Sequence, residues 1–208
     1  MRKLLFGTVL FALAIVLPVP SMPQVSINIE IPLPPPIVFA TPPEVIAMPE
    51  TSGVYVAPDI EADLYFWNGF WWRLWGGRWY RSAYYDRDWV YYDNVPTFYF
   101  DVDRHWRSYY KNHSWYGHEW NYQRIPYQRL QQNWKGWQTN RSWGGQKTWG
   151  VQAYPPRAHA HTQVLRKQRQ QEYQQRPEVQ KHQQYLQQQK QHQKSQKKHG
   201  RGDEEHGR

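Results

Sequence analysis

Two pairs of turn-forming residues, set among aromatic residues and arginines, constrain this chain more than any other feature. The stretch WNGFWWRLWGGRWYRSAYYDRDWVYY, residues 67–92, contains Asn68-Gly69 and Gly76-Gly77. Such dipeptides supply the positive φ angles that two-residue type I′ hairpin turns require. Most of the residues between them are aromatic, a type that is favoured on pleated, half-buried strands. The stretch therefore predicts a tight antiparallel meander.

The two turns also set the register of the central strands. The first pairs Tyr65 with Trp72, and the second pairs Arg73 with Tyr80. Because successive strand residues point to opposite sides, the meander has two faces. The face predicted to be the core side has Arg81 as its only central charge and carries Tyr65, Trp67, Phe70, Trp72, Leu74, Trp79 and Ala83. The second face carries Leu64, Phe66, Trp71, Arg73, Trp75, Arg78, Tyr80 and Ser82.

The second face is the one candidate binding surface in the sequence, because it interleaves arginines with aromatic rings. An exposed arginine stacked on such a ring contributes about 0.5–1 kcal/mol. Rows of this kind suit sugar rings, nucleobases or a partner protein. The alternative is that the rings pack beneath neighbouring segments and contact no ligand, since aromatic pairs commonly stabilise small sheets. The candidate binding residues are Trp71, Arg73, Trp75, Arg78 and Tyr80.

Residues 1–21, MRKLLFGTVLFALAIVLPVPS, have the organisation of a secretory signal peptide. Arg2 and Lys3 precede an apolar run from Leu4 to Leu17, and residues suited to cleavage follow. The run is shorter than the ~20 residues that span a bilayer, so we expect cleavage; an uncleaved anchor is the alternative. The mature chain is then predicted to have no transmembrane span and to be periplasmic or associated with the outer membrane.

The chain contains no cysteine. This composition excludes disulfides, thiolate nucleophiles, Cys-based zinc sites and a lipoprotein anchor. A small exported domain without disulfides must depend on its core, and all 13 tryptophans lie within residues 67–149. Each large ring buries on the order of 150–250 Å², so the aromatic residues can supply that core.

Composition divides the rest of the chain into four segments. Residues 22–53 contain a period-two strand, VSINIEIPL, and a proline-rich extended segment; residues 54–139 are predicted to form the aromatic-rich β domain. Residues 140–162 contain Gly, Ser and Pro and are predicted to be a linker. Residues 163–208 form a Gln/Lys/His-rich low-complexity tail with few apolar residues, which predicts disorder with transient helix.

An amphipathic helix at about residues 127–136 closes the predicted domain. Pro126 precedes it, as is favoured at a helix start. Its apolar stripe, predicted to pack on one face of the sheet, consists of Tyr127, Leu130, Trp134 and Trp137. The predicted fold class is therefore mainly β: a small antiparallel meander sheet with a short amphipathic helix packed on it and a long disordered Gln-rich tail.

Catalytic and metal-binding motifs are absent from the sequence. There is no G-x-S-x-G, H-E-x-x-H or phosphate-binding glycine loop. Asp59, Glu61 and Asp63 alternate, but the Gly-containing loop and bidentate Glu of a Ca²⁺ site do not follow them. His113 and His118 are one residue off the i, i+4 spacing of a helical metal site. We expect a non-enzyme without a metal or cofactor.

Glycine recurs between tryptophans, in WNGFW, WGGRW, WYGHEW and WKGW. This pattern resembles the YXWGXW-type repeats of small exported bacterial proteins. The run from IPLPPPIVFATPPEVIAMPE through PDIEADLYFWNGFWWR and GRWYRSAYYDRDWVYY to RIPYQRLQQNWKGW is similar to uncharacterised secreted proteins of Gram-negative bacteria, over about residues 25–137. The resemblance implies a periplasmic or outer-membrane-associated location and no known active-site residue.

The sequence therefore favours a non-catalytic exported cell-envelope protein. Its aromatic β surface and basic tail are predicted to contact an envelope polymer, such as a glycan or anionic lipid, or an envelope protein. The formal net charge of +9 leaves nucleic-acid binding as an alternative, but the signal peptide argues against it. A purely structural or stress-related role without a ligand is the remaining alternative.

Overall fold

The computed structural model describes residues 31–142, 149–155 and 157–205. Contacts between residues divide the chain into a first unit, residues 1–31, and a compact second unit, residues 32–208. Every helix and strand of the described residues lies in the second unit. The predicted signal peptide and most of the predicted strand VSINIEIPL fall outside the described residues.

Six antiparallel strands form one sheet in sequence order, as a meander. Their bounds are β1 Ile46–Ala47, β2 Tyr55–Val56, β3 Leu64–Trp67, β4 Phe70–Trp75, β5 Arg78–Ser82 and β6 Val90–Tyr92. The central register is the predicted one, with Tyr65 opposite Trp72 and Arg73 opposite Tyr80. The prediction of the meander is confirmed.

Both central turns have the backbone conformation that their residues predicted. Asn68 and Gly69 have φ values of 52° and 82°, and Gly76 and Gly77 have φ values of 54° and 73°. Two successive positive φ angles are typical of the type I′ turn, whose twist matches that of the flanking strands. The turn chemistry thus explains why the register could be predicted.

Helices cover both faces of the sheet, so the described fold is mixed rather than mainly β. The helices are a 3₁₀ helix Thr97–Phe100, α1 Trp106–Lys111, α2 Tyr127–Thr139, α3 His159–Gln174 and α4 Pro177–Glu205. A small second hairpin pairs β7 Ser114–Trp115 with β8 His118–Glu119. The prediction of a mainly β fold is wrong in this respect, because helix exceeds strand in the structure, whereas the sequence predicted α2 as the one packed helix.

The first face of the sheet carries the larger core, as predicted. Tyr65, Trp72 and Trp79 are nearly fully buried there. Phe98 from the 3₁₀ helix packs among them, with ring centroids 5.5 Å from Tyr65 and 6.1 Å from Trp79. The rest of this core includes Ile46, Val56, Phe100, Val102, Trp106, Trp115, Trp120, Val151, Tyr154, Tyr173 and Val179.

Helix α2 covers the second face, and the prediction of its apolar stripe is confirmed. Leu130 is fully buried. The ring of Trp134 lies 5.9 Å from that of Phe66, and the ring of Trp137 lies 6.2 Å from that of Tyr55. The helix runs three residues beyond its predicted end. An isolated helix of this length is marginal in water, so this docking explains its stability.

The predicted linker, residues 140–162, includes packed residues. Val151 is fully buried and forms an antiparallel bridge with Trp120. The indole Nε1 of Trp120 donates to the carbonyl oxygen of Trp149 at 3.2 Å. Tyr154 is also buried. Composition predicted a linker here because the few residues that anchor the segment are spread among polar ones.

Disorder with transient helix in the tail, residues 163–208, stays a prediction, but two of its residues pack on the domain. Helix α3 and the beginning of α4 pack on the domain through Tyr173 and Val179, which are 4% and 3% exposed. The Tyr173 ring lies 5.6 Å from that of Tyr99. The surface that Tyr173 contacts includes Tyr99 and Phe100 of the 3₁₀ helix, and ion pairs of Arg166 with Asp101 and of Arg169 with Asp103 also hold α3.

Candidate functional site

The five predicted binding residues share one face of β4 and β5, but that face is largely covered. Trp71 and Tyr80 are fully buried, and Arg73 is 5% exposed. Trp75 and Arg78 are half-buried. The structure therefore agrees with the alternative interpretation, in which these rings pack beneath neighbouring segments.

Helix α2 and the loop after β5 cover Trp71. Its ring stacks on that of Tyr127 at 6.3 Å with an interplanar angle of 30°. The ring of Tyr85 meets both, 6.0 Å from Trp71 and 5.0 Å from Tyr127. Alternation along the strands predicted that Trp71 and Trp72 point to opposite faces. It did not predict that both faces are covered. The elements that cover them, the 3₁₀ helix on the first face and α2 on the second, lie later in the chain than the strands.

The proline-rich segment covers the Arg73 and Tyr80 part of the face. Arg73 Nη1 donates to the carbonyl oxygen of Pro35 at 2.5 Å, and the Tyr80 hydroxyl donates to that of Pro32 at 2.6 Å. Burial lowers the pKa of Arg73 and raises the pKa of Tyr80. The raised pKa favours the protonated Tyr80 hydroxyl, which is the form that donates to Pro32.

Helix α4 approaches the remaining end of the face. The guanidinium of Arg78 lies 5.8 Å from the centre of the Tyr185 ring. The Tyr91 hydroxyl lies 3.2 Å from Nε2 of His182. Burial, with a smaller contribution from the charge of Arg78, lowers the pKa of His182. Four segments of the chain therefore lie against the face that carries the candidate binding residues: the proline-rich segment, the loop after β5, α2 and α4.

An exposed aromatic corner instead lies on the first face, which the sequence predicted to be the core side. Arg81 is exposed and lies 5.2 Å from the ring centre of Phe70 and 5.4 Å from that of Tyr92. Phe70 is 38% exposed, and Val90, opposite Arg81, is 62% exposed. We call Phe70, Arg81, Val90 and Tyr92 the exposed corner. Arg81, the only central charge on that face, was the one sequence signal for it.

An arginine-lined cavity of about 110 Å³ lies between α3, the 3₁₀ helix, α1 and β3. Its arginines have partners: Arg104 pairs with Glu172 at 2.8 Å, and Arg107 lies 3.5 Å from Asp63. Arg169, at its edge, lies 2.7 Å from the buried carboxylate of Asp103. These charges are paired within the chain. The ion pairs therefore hold α3 on the domain rather than offer unpaired cations to a ligand.

The acidic and histidine residues considered as metal ligands are dispersed. Asp59 binds Arg124, with Nη1 2.6 Å from Oδ2, and the hydrogen bond from Arg124 lowers the pKa of Asp59. His113 stacks on Tyr122. Within the described ranges, no group of three or more His, Cys, Asp or Glu residues could hold a metal ion.

Comparisons with known proteins add no information on function. Scans against protein-family models, curated proteins and solved structures found no significant match to this chain. The resemblance to exported aromatic-rich proteins therefore stays a prediction. No helix among the residues described is both long and apolar enough to cross a bilayer.

Proposed function

We propose that this chain is a non-catalytic exported cell-envelope protein that binds an anionic envelope polymer through the exposed corner and its basic C-terminal helix. The observation that carries the proposal is Arg81 held between the rings of Phe70 and Tyr92 on an accessible part of the sheet. Among the described residues Arg81 forms no ion pair. Its charge is therefore available to a ligand.

The chemistry of the exposed corner suits a polymer that combines rings with negative charge. A guanidinium binds carboxylates and phosphates through directed N–H groups. The neighbouring rings offer apolar faces on which a sugar ring can stack. A phosphorylated or carboxylated glycan presents both features, whereas a neutral glycan presents only one.

Helix α4 adds a second positive surface. Lys181, Lys190 and Lys194 are exposed along it. Clustered positive charges raise the rate of association with an anionic polymer and contribute affinity that weakens with salt. Residues 1–21 are a predicted signal peptide, which would direct export of the chain to the cell envelope, where such polymers occur.

Binding of the full mature chain to lipopolysaccharide-containing vesicles tests the proposal. We expect Arg81→Gln to weaken binding by about fivefold, because one ring-supported guanidinium contact contributes about 1 kcal/mol. The matched control is Arg87→Gln: Arg87 is also exposed and lies 4.1 Å from the Tyr84 ring, but it pairs with Asp86. Unchanged binding in Arg81→Gln and in Phe70→Ala would contradict the proposal and favour a structural role without a ligand.

Salt dependence and cell fractionation complete the test. Binding to an anionic polymer should weaken as salt rises, whereas stacking on a neutral glycan should change little. Recovery of a tagged full-length chain from the cytosol would contradict the proposed location.

A further inference from the structure

A proline-rich segment lies across β4 and β5 on the second face, away from the exposed corner. The carbonyls that Tyr80 and Arg73 bind belong to Pro32 and Pro35, which are three residues apart. A polyproline II helix has three residues per turn, so these carbonyls point in one direction. Arg73 and Tyr80 are direct neighbours across the two strands. The spacing of the hydrogen-bond donors of Arg73 and Tyr80 therefore matches the three-residue repeat of a polyproline II helix.

Burial along the segment follows the same period of three. Pro34 is buried and Ile37 is half-buried. The residues between and before them are exposed: Pro32, Leu33, Pro35 and Pro36. One edge of the segment therefore packs on the sheet while its other two edges face solvent, as expected for a polyproline II helix lying in a shallow groove.

The groove recognises backbone shape more than side chains. Both hydrogen bonds go to main-chain carbonyls, which every proline-rich peptide presents, and only Pro34 and Ile37 of the segment turn inward. Aromatic-lined grooves that bind such peptides use the same combination of carbonyl-directed donors and ring surfaces. Another segment of this conformation would present the same main-chain carbonyls to Arg73 and Tyr80.

The chain's own segment leaves part of the groove unsatisfied. Nε of Arg73, in the same guanidinium as the Nη1 that binds Pro35, is buried and has no hydrogen-bond partner among the described residues. Buried donors without acceptors are costly. A ligand with an additional acceptor at this position would therefore be favoured over residues 32–37.

We propose that the groove at Arg73 and Tyr80 is a binding site for polyproline II segments, and that a proline-rich segment of another protein displaces residues 32–37 from it. The site is independent of the exposed corner and of the polymer proposed above. The attached segment competes with any partner at an effective concentration in the millimolar range for a short connection. The fraction of grooves that a partner occupies therefore depends on how readily residues 32–37 dissociate from the groove.

Titration of a synthetic peptide with the sequence of residues 32–39, PLPPPIVF, tests this inference. The acceptor is the full chain with Pro32, Pro34 and Pro35 replaced by Gly, which weakens its own segment. We expect binding, detected by tryptophan fluorescence and calorimetry, at least about tenfold tighter than to the wild type, which retains its tethered competitor. Adding Tyr80→Phe should weaken peptide binding by about fivefold, since one hydrogen bond is lost.

Two controls decide the outcome. A peptide with glycine in place of its prolines should not bind; equal binding would overturn recognition of the polyproline II form. Failure of PLPPPIVF to bind the folded triple variant would overturn the site itself. If the triple variant does not fold, Pro34→Ala is titrated with the same expectation. A wild-type dimer that Pro34→Ala abolishes would assign the groove to a second copy of this chain and overturn the choice of a foreign partner.

Discussion

Gly77 lies directly against the backbone of Glu178, so the second turn of the meander contacts the beginning of the last helix. A Cβ atom on Gly77 would lie 2.4 Å from the carbonyl oxygen of Glu178. Gly77 also has a φ of +73°. Glycine is therefore required at this position by its conformation and by the close approach of α4.

Replacing Gly77 by Ala should release the start of α4 from the sheet. The new methyl group meets backbone atoms, which cannot move aside without moving the helix. We expect a loss of stability beyond the ~1 kcal/mol that a positive φ alone costs. Limited trypsin digestion should cleave after Lys181 faster than in the wild type.

Gly76→Ala is the matched control for this prediction. Gly76 has a φ of +54°, but a methyl group added there would have Nη1 of Arg78, at 3.8 Å, as its nearest neighbour. This variant should show the conformational cost without faster cleavage of α4. Equal cleavage in both variants would mean that α4 does not pack at Gly77.

Docking of α4 should also depend on pH through His182. Burial, followed by the charge of Arg78, lowers the pKa of this imidazole in the folded chain. Its neutral form is therefore favoured on docking, and the contribution is fully present above the unfolded pKa of about 6.5. As pH falls below that value, the unfolded form gains protons first and docking weakens.

Hydrogen exchange of the amides of α4 between pH 8 and pH 5, corrected for intrinsic rates, measures this effect. The wild type should lose protection toward pH 5, and His182→Gln should show a flat profile. A wild-type profile that matches the variant would contradict coupling between His182 and docking.

The sequence predicted the meander well because its turns are local. Residues adjacent in the chain, such as Asn68 and Gly69, determine the turn type, and the turn type determines the register. The burial of Arg73 could not be predicted in this way, because the residue that binds it, Pro35, is 38 positions away. Alternation assigns a side chain to a face, but burial depends on what covers that face.

The same limit applies to the tail. Gln, Lys and Arg dominate residues 163–208, and composition alone predicts disorder from them. Tyr173 and Val179 nevertheless anchor two helices, because Tyr99 and Phe100 provide a ready aromatic surface. The exposed corner was missed for a related reason. Alternation assigns Phe70 and Arg81 to the core side, but it does not indicate which part of that side stays uncovered.

Asp103 should stabilise the fold above about pH 4 and lose this effect in acid. Burial alone would raise its pKa, but hydrogen bonds from the Tyr116 hydroxyl and the His105 N–H, with the charge of Arg169, leave the pKa below its usual value. A depressed folded pKa contributes stability above the unfolded pKa of about 3.9, which is lost as pH falls through the folded value.

Urea unfolding of Asp103→Asn at several pH values checks this expectation. We expect a loss of about 2–3 kcal/mol at pH 7, since Arg169 loses its partner in a mostly buried position. The difference from the wild type should shrink below pH 4. Asp59→Asn is the control: the Asp59 side chain is 56% exposed, so its effect should be smaller. A constant difference across all pH values would contradict the assigned role of the Asp103 charge.

Leu130 should be the most sensitive position of α2, because it is fully buried on the second face between ring-bearing positions of the same stripe. Leu130→Ala removes apolar contacts and leaves a cavity, which costs about 2–5 kcal/mol in buried sites. Gln132→Ala, on the exposed side of the same helix, should change stability little. Both variants are compared by thermal and urea unfolding of the full chain. A small effect for Leu130→Ala would mean that α2 adds little to the stability of the sheet and that its covering of Trp71 is loose.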